Sequence, residues 1–183
     1  MKENSSACRG GAMAKCTACE RLKEKFPEAV RGIEEFRGDT FVTVDQGQIR
    51  AVMTFLKESE GTLYDLLVDI AGVDSGSESP RFLIVYLLHS MKYNNRLGIK
   101  IAVPEGAAVD TVSDLWKAAD WMEREVYDMF GIKFSRHPDL RRILLPDDFA
   151  GHPLRKDYPL KGVDFDKPFP VCLEEEKGNQ TDA

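Results

Sequence analysis

Apolar and polar positions along this chain repeat with two periods, and each change of period marks an element. Thr17-Ala18-Cys19-Glu20 has the form of a capping box, Leu22 and Phe26 share a face behind it, and Pro27 ends the short helix. Residues 41–44 (FVTV) alternate and predict a strand. Asp45-Gln46-Gly47-Gln48 opens a helix with Ile49, Val52, Met53 and Leu56 on one stripe, ending near Gly61. Residues 63–73 form an apolar, strand-like run, so strand, helix and strand predict a crossover joining a parallel pair. Residues 81–89 (RFLIVYLLH) predict a buried strand, with 97–103 (LGIKIAV) as its hairpin partner. Residues 92–96 make the turn, where asparagines tolerate positive φ.

The clearest helix has Val112, Leu115, Trp116, Ala119, Met122, Val126 and Phe130 at three- and four-residue steps. Asp120, Arg124 and Asp128 are spaced as successive i, i+4 partners, and Gly131 is placed as the C′ residue. After Gly131 periodicity stops. Six of the nine prolines fall at 138, 146, 153, 159, 168 and 170. Residues 133–161 hold seven Lys/Arg against four Asp and so carry +3, while the rest of the chain carries −9. Ile143-Leu144-Leu145 is its only short apolar cluster. That burial is too little to offset about 1–2 kcal/mol of backbone entropy per residue, so another surface must order the segment or it stays loose.

The fold expected is α+β: a small mixed β-sheet packed with helices, followed by an extended proline-rich C-terminal arm. Expected boundaries are a disordered N-terminus at 1–14, the α+β domain at 15–131, a partner-docking arm at 132–171 and a disordered acidic tail at 172–183. The whole-chain charge of −6 gives no reason to expect nucleic-acid binding. No apolar run reaches the roughly 20 residues of a membrane span, and the N-terminus lacks the apolar core of a secretion signal. A cytoplasmic protein, peripheral to a membrane through a partner, is the expectation.

Chemistry is sparse. No phosphate loop, dinucleotide fingerprint or metalloprotease motif occurs. Cys16 and Cys19 form a CxxC, but a four-thiolate set would need Cys8 and Cys172 from segments expected to be disordered. Inert or redox-labile surface thiols are the preferred reading. Glu123 and Glu125 stand about 200° apart on a helix and cannot share a proton. Arg124 with Asp128 reads as a helix ion pair. His137 and His152 each precede a proline, which suits a fixed hydrogen bond. Arg141, Arg142, Arg155 and Lys156 interleave with Asp139, Asp147, Asp148 and Asp157, a pattern that fits ion pairs across a protein interface.

Glu123-Arg124-Glu125, two residues, Asp128-Met129-Phe130, six residues, His137, three residues, Arg141, one residue, then Ile143-Leu144 resembles the signature of the respiratory complex I 30 kDa subunit family. The flanking GIKFSRHPDLRRILLPDDF and GHPLRKDYPL continue the likeness. The resemblance implies a subunit of a proton-translocating NADH-quinone oxidoreductase on the cytoplasmic face of the membrane. It also implies no cofactor on this chain, with NADH, FMN, iron-sulfur clusters and quinone held by other subunits. The implied partners are the large hydrogenase-like quinone-site subunit and neighbouring iron-sulfur subunits of the peripheral arm. Carried over by position, Glu123, Arg124, Glu125, Asp128, His137, Arg141, Arg142, His152, Arg155, Lys156 and Asp157 are docking candidates, and none is assigned catalysis. The alternatives are the equivalent subunit of a cofactor F420 dehydrogenase or a membrane-bound hydrogenase, a free-standing enzyme, and a cysteine metal-binding module.

Overall fold

Alternation from Phe82 to Ser90 buries every second side chain, and the element it builds is the middle of the sheet. The computed structural model describes residues 10–76 and 79–161, with the backbone alone for 10–17. A five-stranded sheet comprises β1 (Val30–Phe36), β2 (Asp39–Val44), β3 (Leu66–Asp74), β4 (Phe82–Ser90) and β5 (Asn95–Val103). The spatial order is β1-β2-β5-β4-β3. Three helices, α1 (Gly10–Lys25), α2 (Ile49–Glu58) and α3 (Ala118–Phe130), complete this unit. Two three-residue strands, β6 (Ala108–Asp110) and β7 (Lys133–Ser135), form a separate parallel pair.

One sheet face carries Val42, Val44, Phe82, Ile84, Tyr86, Leu88, Leu97, Ile99, Ile101 and Val103, all buried. These share a single core with Leu22 of α1, the predicted stripe Ile49, Val52, Met53 and Leu56 of α2, and Val126, Met129 and Phe130 of α3. Each full burial of such a side chain stabilises the fold by about 1.5–3 kcal/mol. Glycine at 72 seats α3 on β3: a Cβ there would meet the Phe130 ring at 2.7 Å.

Four sequence expectations change. β2 and β3 run in the same direction but are not neighbours, because the β4–β5 hairpin lies between them; the parallel partner of β2 is β5. α1 begins at Gly10, so Thr17 lies inside the helix rather than capping it. α3 begins at Ala118 rather than Val112. Val112, Leu115 and Trp116 keep helical spacing through tight turns, in which Val112 O accepts from the N–H of both Leu115 and Trp116 at 3.0 Å. Finally, β1, β6 and β7 were not expected. β1 is an edge strand with mostly exposed charged side chains, so it lacks the alternation of a half-buried strand. The Asp45 cap, the hairpin and Gly131 in the left-handed region (φ 74°) all match expectation, with Asn94 at φ 46° in the hairpin turn.

Candidate functional site

The arm after Gly131 is ordered first by this chain's own α3. A helix ends with four carbonyls that lack intrahelical partners. Here the Tyr127 carbonyl accepts from Gly131 N–H at 2.8 Å, and the Asp128 carbonyl accepts from His152 Nδ1 at 2.8 Å. The Met129 carbonyl accepts from Leu154 N–H at 3.2 Å, and the Phe130 carbonyl from Arg155 Nε at 2.6 Å. The His152–Arg155 stretch is therefore the cap of α3, and it puts a cation at the negative end of the helix dipole.

Asp128 is the arm's second anchor. Its Oδ2 accepts from the N–H groups of Ile143, Leu144 and Leu145 at 3.1, 2.9 and 3.0 Å, and its Oδ1 accepts from Arg142 Nη1 at 2.8 Å. Burial opposes its charge, but these four donors outweigh that and hold the carboxyl below its ordinary range. Arg142 also donates to the Phe149 and Gly151 carbonyls, while Arg124 donates to those of Arg141 and Arg142. The expected Arg124–Asp128 helix pair is thus replaced. Both side chains turn to the arm, whose irregular backbone offers bare donors and acceptors that a neighbouring side chain on the helix does not.

A third anchor lies at the sheet end. Arg81 bonds Asp74 at 2.9 Å, Asp157 at 2.9 Å and Glu105 at 3.1 Å. Lys156 N–H donates to Asp74 Oδ2 at 2.8 Å, and Arg155 pairs with Glu105 at 3.0 Å. The Arg81 hydrogen bond is the main reason the Asp74 carboxyl is held well below the usual carboxylate range and the Asp157 carboxyl below it. Asp74, Arg81 and Glu105 were not among the sequence candidates. Their signal was slight: a charge closing one apolar run, a charge opening the next, and an acid in the loop after the hairpin.

The remaining candidates divide by exposure. The His137 side chain is fully enclosed: its Nδ1 accepts from Asp139 N–H at 3.1 Å, so Nε2 carries the proton and faces the Asp120 carbonyl at 3.1 Å. Glu123 is fully buried and Glu125 exposed, so the two acids of the motif point to different surroundings. Arg141, Lys156 and Asp157 face outward. α3 and the arm also expose four large apolar side chains: Trp121, Leu144, Leu154 and Leu160. Arg124 lies 5.1 Å from the Trp121 ring centroid.

Among the described residues no group of three or more His, Cys, Asp or Glu side chains is placed to hold a metal ion. Cys19 is not the surface thiol expected but lies buried in the core; Cys8, Cys172 and the Cys16 side chain fall outside the described residues, as do the expected tail at 172–183 and residues 1–9. Among the described residues no helix is long and apolar enough to cross a membrane.

Residues 42–164 match the family model described as the 30 kDa subunit of the respiratory-chain NADH dehydrogenase. The chain is similar to the C subunit of the NADH-quinone oxidoreductase of Geobacter metallireducens, with 51% identity over 78% of this chain and 88% of that protein. The corresponding protein of Geobacter sulfurreducens is 49% identical over 79% and 89%. A solved trypsin-resistant fragment of Nqo5 shares the fold at TM-score 0.58 and 32% identity, covering 67% of this chain and 99% of the fragment. A chain of an archaeal membrane-bound sulfane sulfur reductase aligns over 92% of this chain with TM-score 0.70 at 23% identity, a likeness of fold.

Proposed function

This chain belongs to the family of the respiratory-chain NADH dehydrogenase 30 kDa subunit, and on that premise we propose that it is a structural subunit in the peripheral arm of a proton-translocating NADH-quinone oxidoreductase. It carries no redox group; NADH, FMN, iron-sulfur clusters and quinone belong to its companions. It sits at the cytoplasmic face of the membrane and braces the quinone-reducing module against the large hydrogenase-like subunit. The observation that carries this reading is that the family match, 42–164, runs from the end of β2 through β3, β4 and β5 to the arm fastened to α3. Relatives bearing the name of an NADH-quinone oxidoreductase over most of the chain support NADH as donor.

Of the docking candidates, Glu125, Arg141, Lys156 and Asp157 meet the partner directly, joined by Trp121 and Leu144. Glu123, Arg124, Asp128, His137, Arg142, His152 and Arg155 act through the arm they hold in shape. Exposed aromatic and arginine side chains are the usual anchors of such contacts. Purifying the tagged chain from its own membranes tests the assignment. Recovery with a large quinone-site subunit and NADH:quinone activity is expected; recovery as a lone chain would refute it.

A further inference from the structure

Three acidic side chains are buried among the described residues: Asp74, Glu123 and Asp128. Asp74 has Arg81 and Asp128 has Arg142, but Glu123 has no lysine or arginine bonded to it. Its Oε1 accepts from Val112 N–H at 2.8 Å; its Oε2 lies 2.5 Å from the Thr111 hydroxyl, whose single hydrogen can go to Ser113 Oγ at 2.8 Å, so that a protonated Oε2 donates to Thr111. From the arm, His137 Nε2 stands 3.8 Å away. The same Nε2 also stands 3.2 Å from the Asp120 carboxylate. From β4, the buried Tyr86 hydroxyl feels the Glu123 charge and has no hydrogen-bond partner. On its own helix and the preceding turn, Asp120 and Asp114 add negative charge. Arg50 of α2 faces the same turn, but is bonded to the Thr111 carbonyl and Asp114. On the outside lies a surface cavity of about 600 Å³, whose lining includes Thr111, Ser113 and Asp120.

We propose that Glu123 is a proton-controlled latch: protonated, it closes the joint between the Thr111–Val112 turn, α3 and the root of the arm at His137, and on losing its proton to solvent it loosens that joint. A buried carboxylate with no lysine or arginine bonded to it is poorly compensated. Ionisation therefore favours a state in which water from the cavity reaches Glu123 through Thr111. Burial is the main cause that pushes the Glu123 carboxyl up to about 7, against the bonds from Thr111 and Val112. The folded value lies above the unfolded one. The closed joint therefore has its full stability below the unfolded value and loses it as pH rises through about 7.

The test is amide exchange in the full-length chain between about pH 5.5 and 8.5, corrected for the intrinsic rate, at Val112 and Asp139. The opening equilibrium should rise through the titration by up to tenfold per pH unit, and Glu123→Gln should flatten that rise. A flat profile in the unaltered protein, or an undiminished rise in the Gln variant, would overturn the latch. If the Gln variant does not fold, infrared spectra of the ¹³C-glutamate-labelled protein decide. A protonated glutamate carboxyl that persists at pH 6 and disappears by pH 8, on the order of one unit either side of the transition, supports the latch. Its absence at the lower pH overturns it.

Discussion

Asp128→Ala removes one carboxylate on which four donors converge, and its effect can be worked from the geometry. The Arg142 guanidinium, whose side chain is 17% exposed, loses its buried partner. Breaking a buried pair from one side costs about 3–5 kcal/mol. Three backbone N–H groups, at 143, 144 and 145, lose their acceptor at the same time. Each left dry would cost about 1–3 kcal/mol. These terms do not add, because the arm has a cheaper escape: it lifts off α3 and finds water. The free energy of that local opening should therefore fall by roughly 3–5 kcal/mol, which is about 10²–10⁴-fold in the open population. Limited trypsin digestion at Arg141 and Arg142 reads that population directly when reclosing is fast. The core behind α3 should keep its own cooperative melting. Asp128→Asn, which keeps shape and one acceptor, should fall between the two. Cleavage no faster than in the unaltered chain would refute the anchor role. If cleavage is faster only because the whole chain melts lower, the idea that the arm opens independently fails.

Gly131→Ala places a Cβ 2.5 Å from His152 Nε2 and 2.7 Å from Arg155 Nη2 on a residue at φ 74°. The backbone strain costs about 1–2 kcal/mol, and each displaced capping bond about 1 kcal/mol more; a urea midpoint equal to that of the unaltered chain would contradict the capping scheme. Asp74, Asp128 and Asp157 titrate below their ordinary values. What they contribute is present above the unfolded carboxylate value and disappears as pH falls through the lower folded ones. Hydrogen exchange should therefore show the arm loosening below about pH 4 ahead of the sheet, and simultaneous loss of both would count against it.

The fold was legible where burial is periodic. β4 and the α2 stripe stand out because every second, or every third and fourth, side chain enters one core. Sheet order was not legible. A strand-helix-strand pattern says nothing of the hairpin that later inserts itself, as β4 and β5 do between β3 and β2. β1 escaped notice because an edge strand exposing Arg31, Glu34 and Glu35 has no apolar rhythm. At the site, the motif located the right residues but not their partners. Arg124 and Asp128 are spaced for each other, yet each binds arm backbone 15 to 18 residues further on. Lys156 meets Asp74 across 82 residues. Side-chain bonds to irregular backbone have no period, so their pattern exists only once the chain has folded.

If the exposed Trp121, Leu144 and Arg141 face the large quinone-site subunit, a cross-linker placed among them must capture that subunit. A photoreactive side chain at position 144 in the native membranes tests this most directly, with position 35 on the far edge of the sheet as control. Leu144 is 62% exposed, so its replacement disturbs no core contact. The predicted result is an adduct with the large subunit from position 144 and none from position 35. An adduct from position 35 alone, or a chain cross-linked to nothing from either, would contradict it.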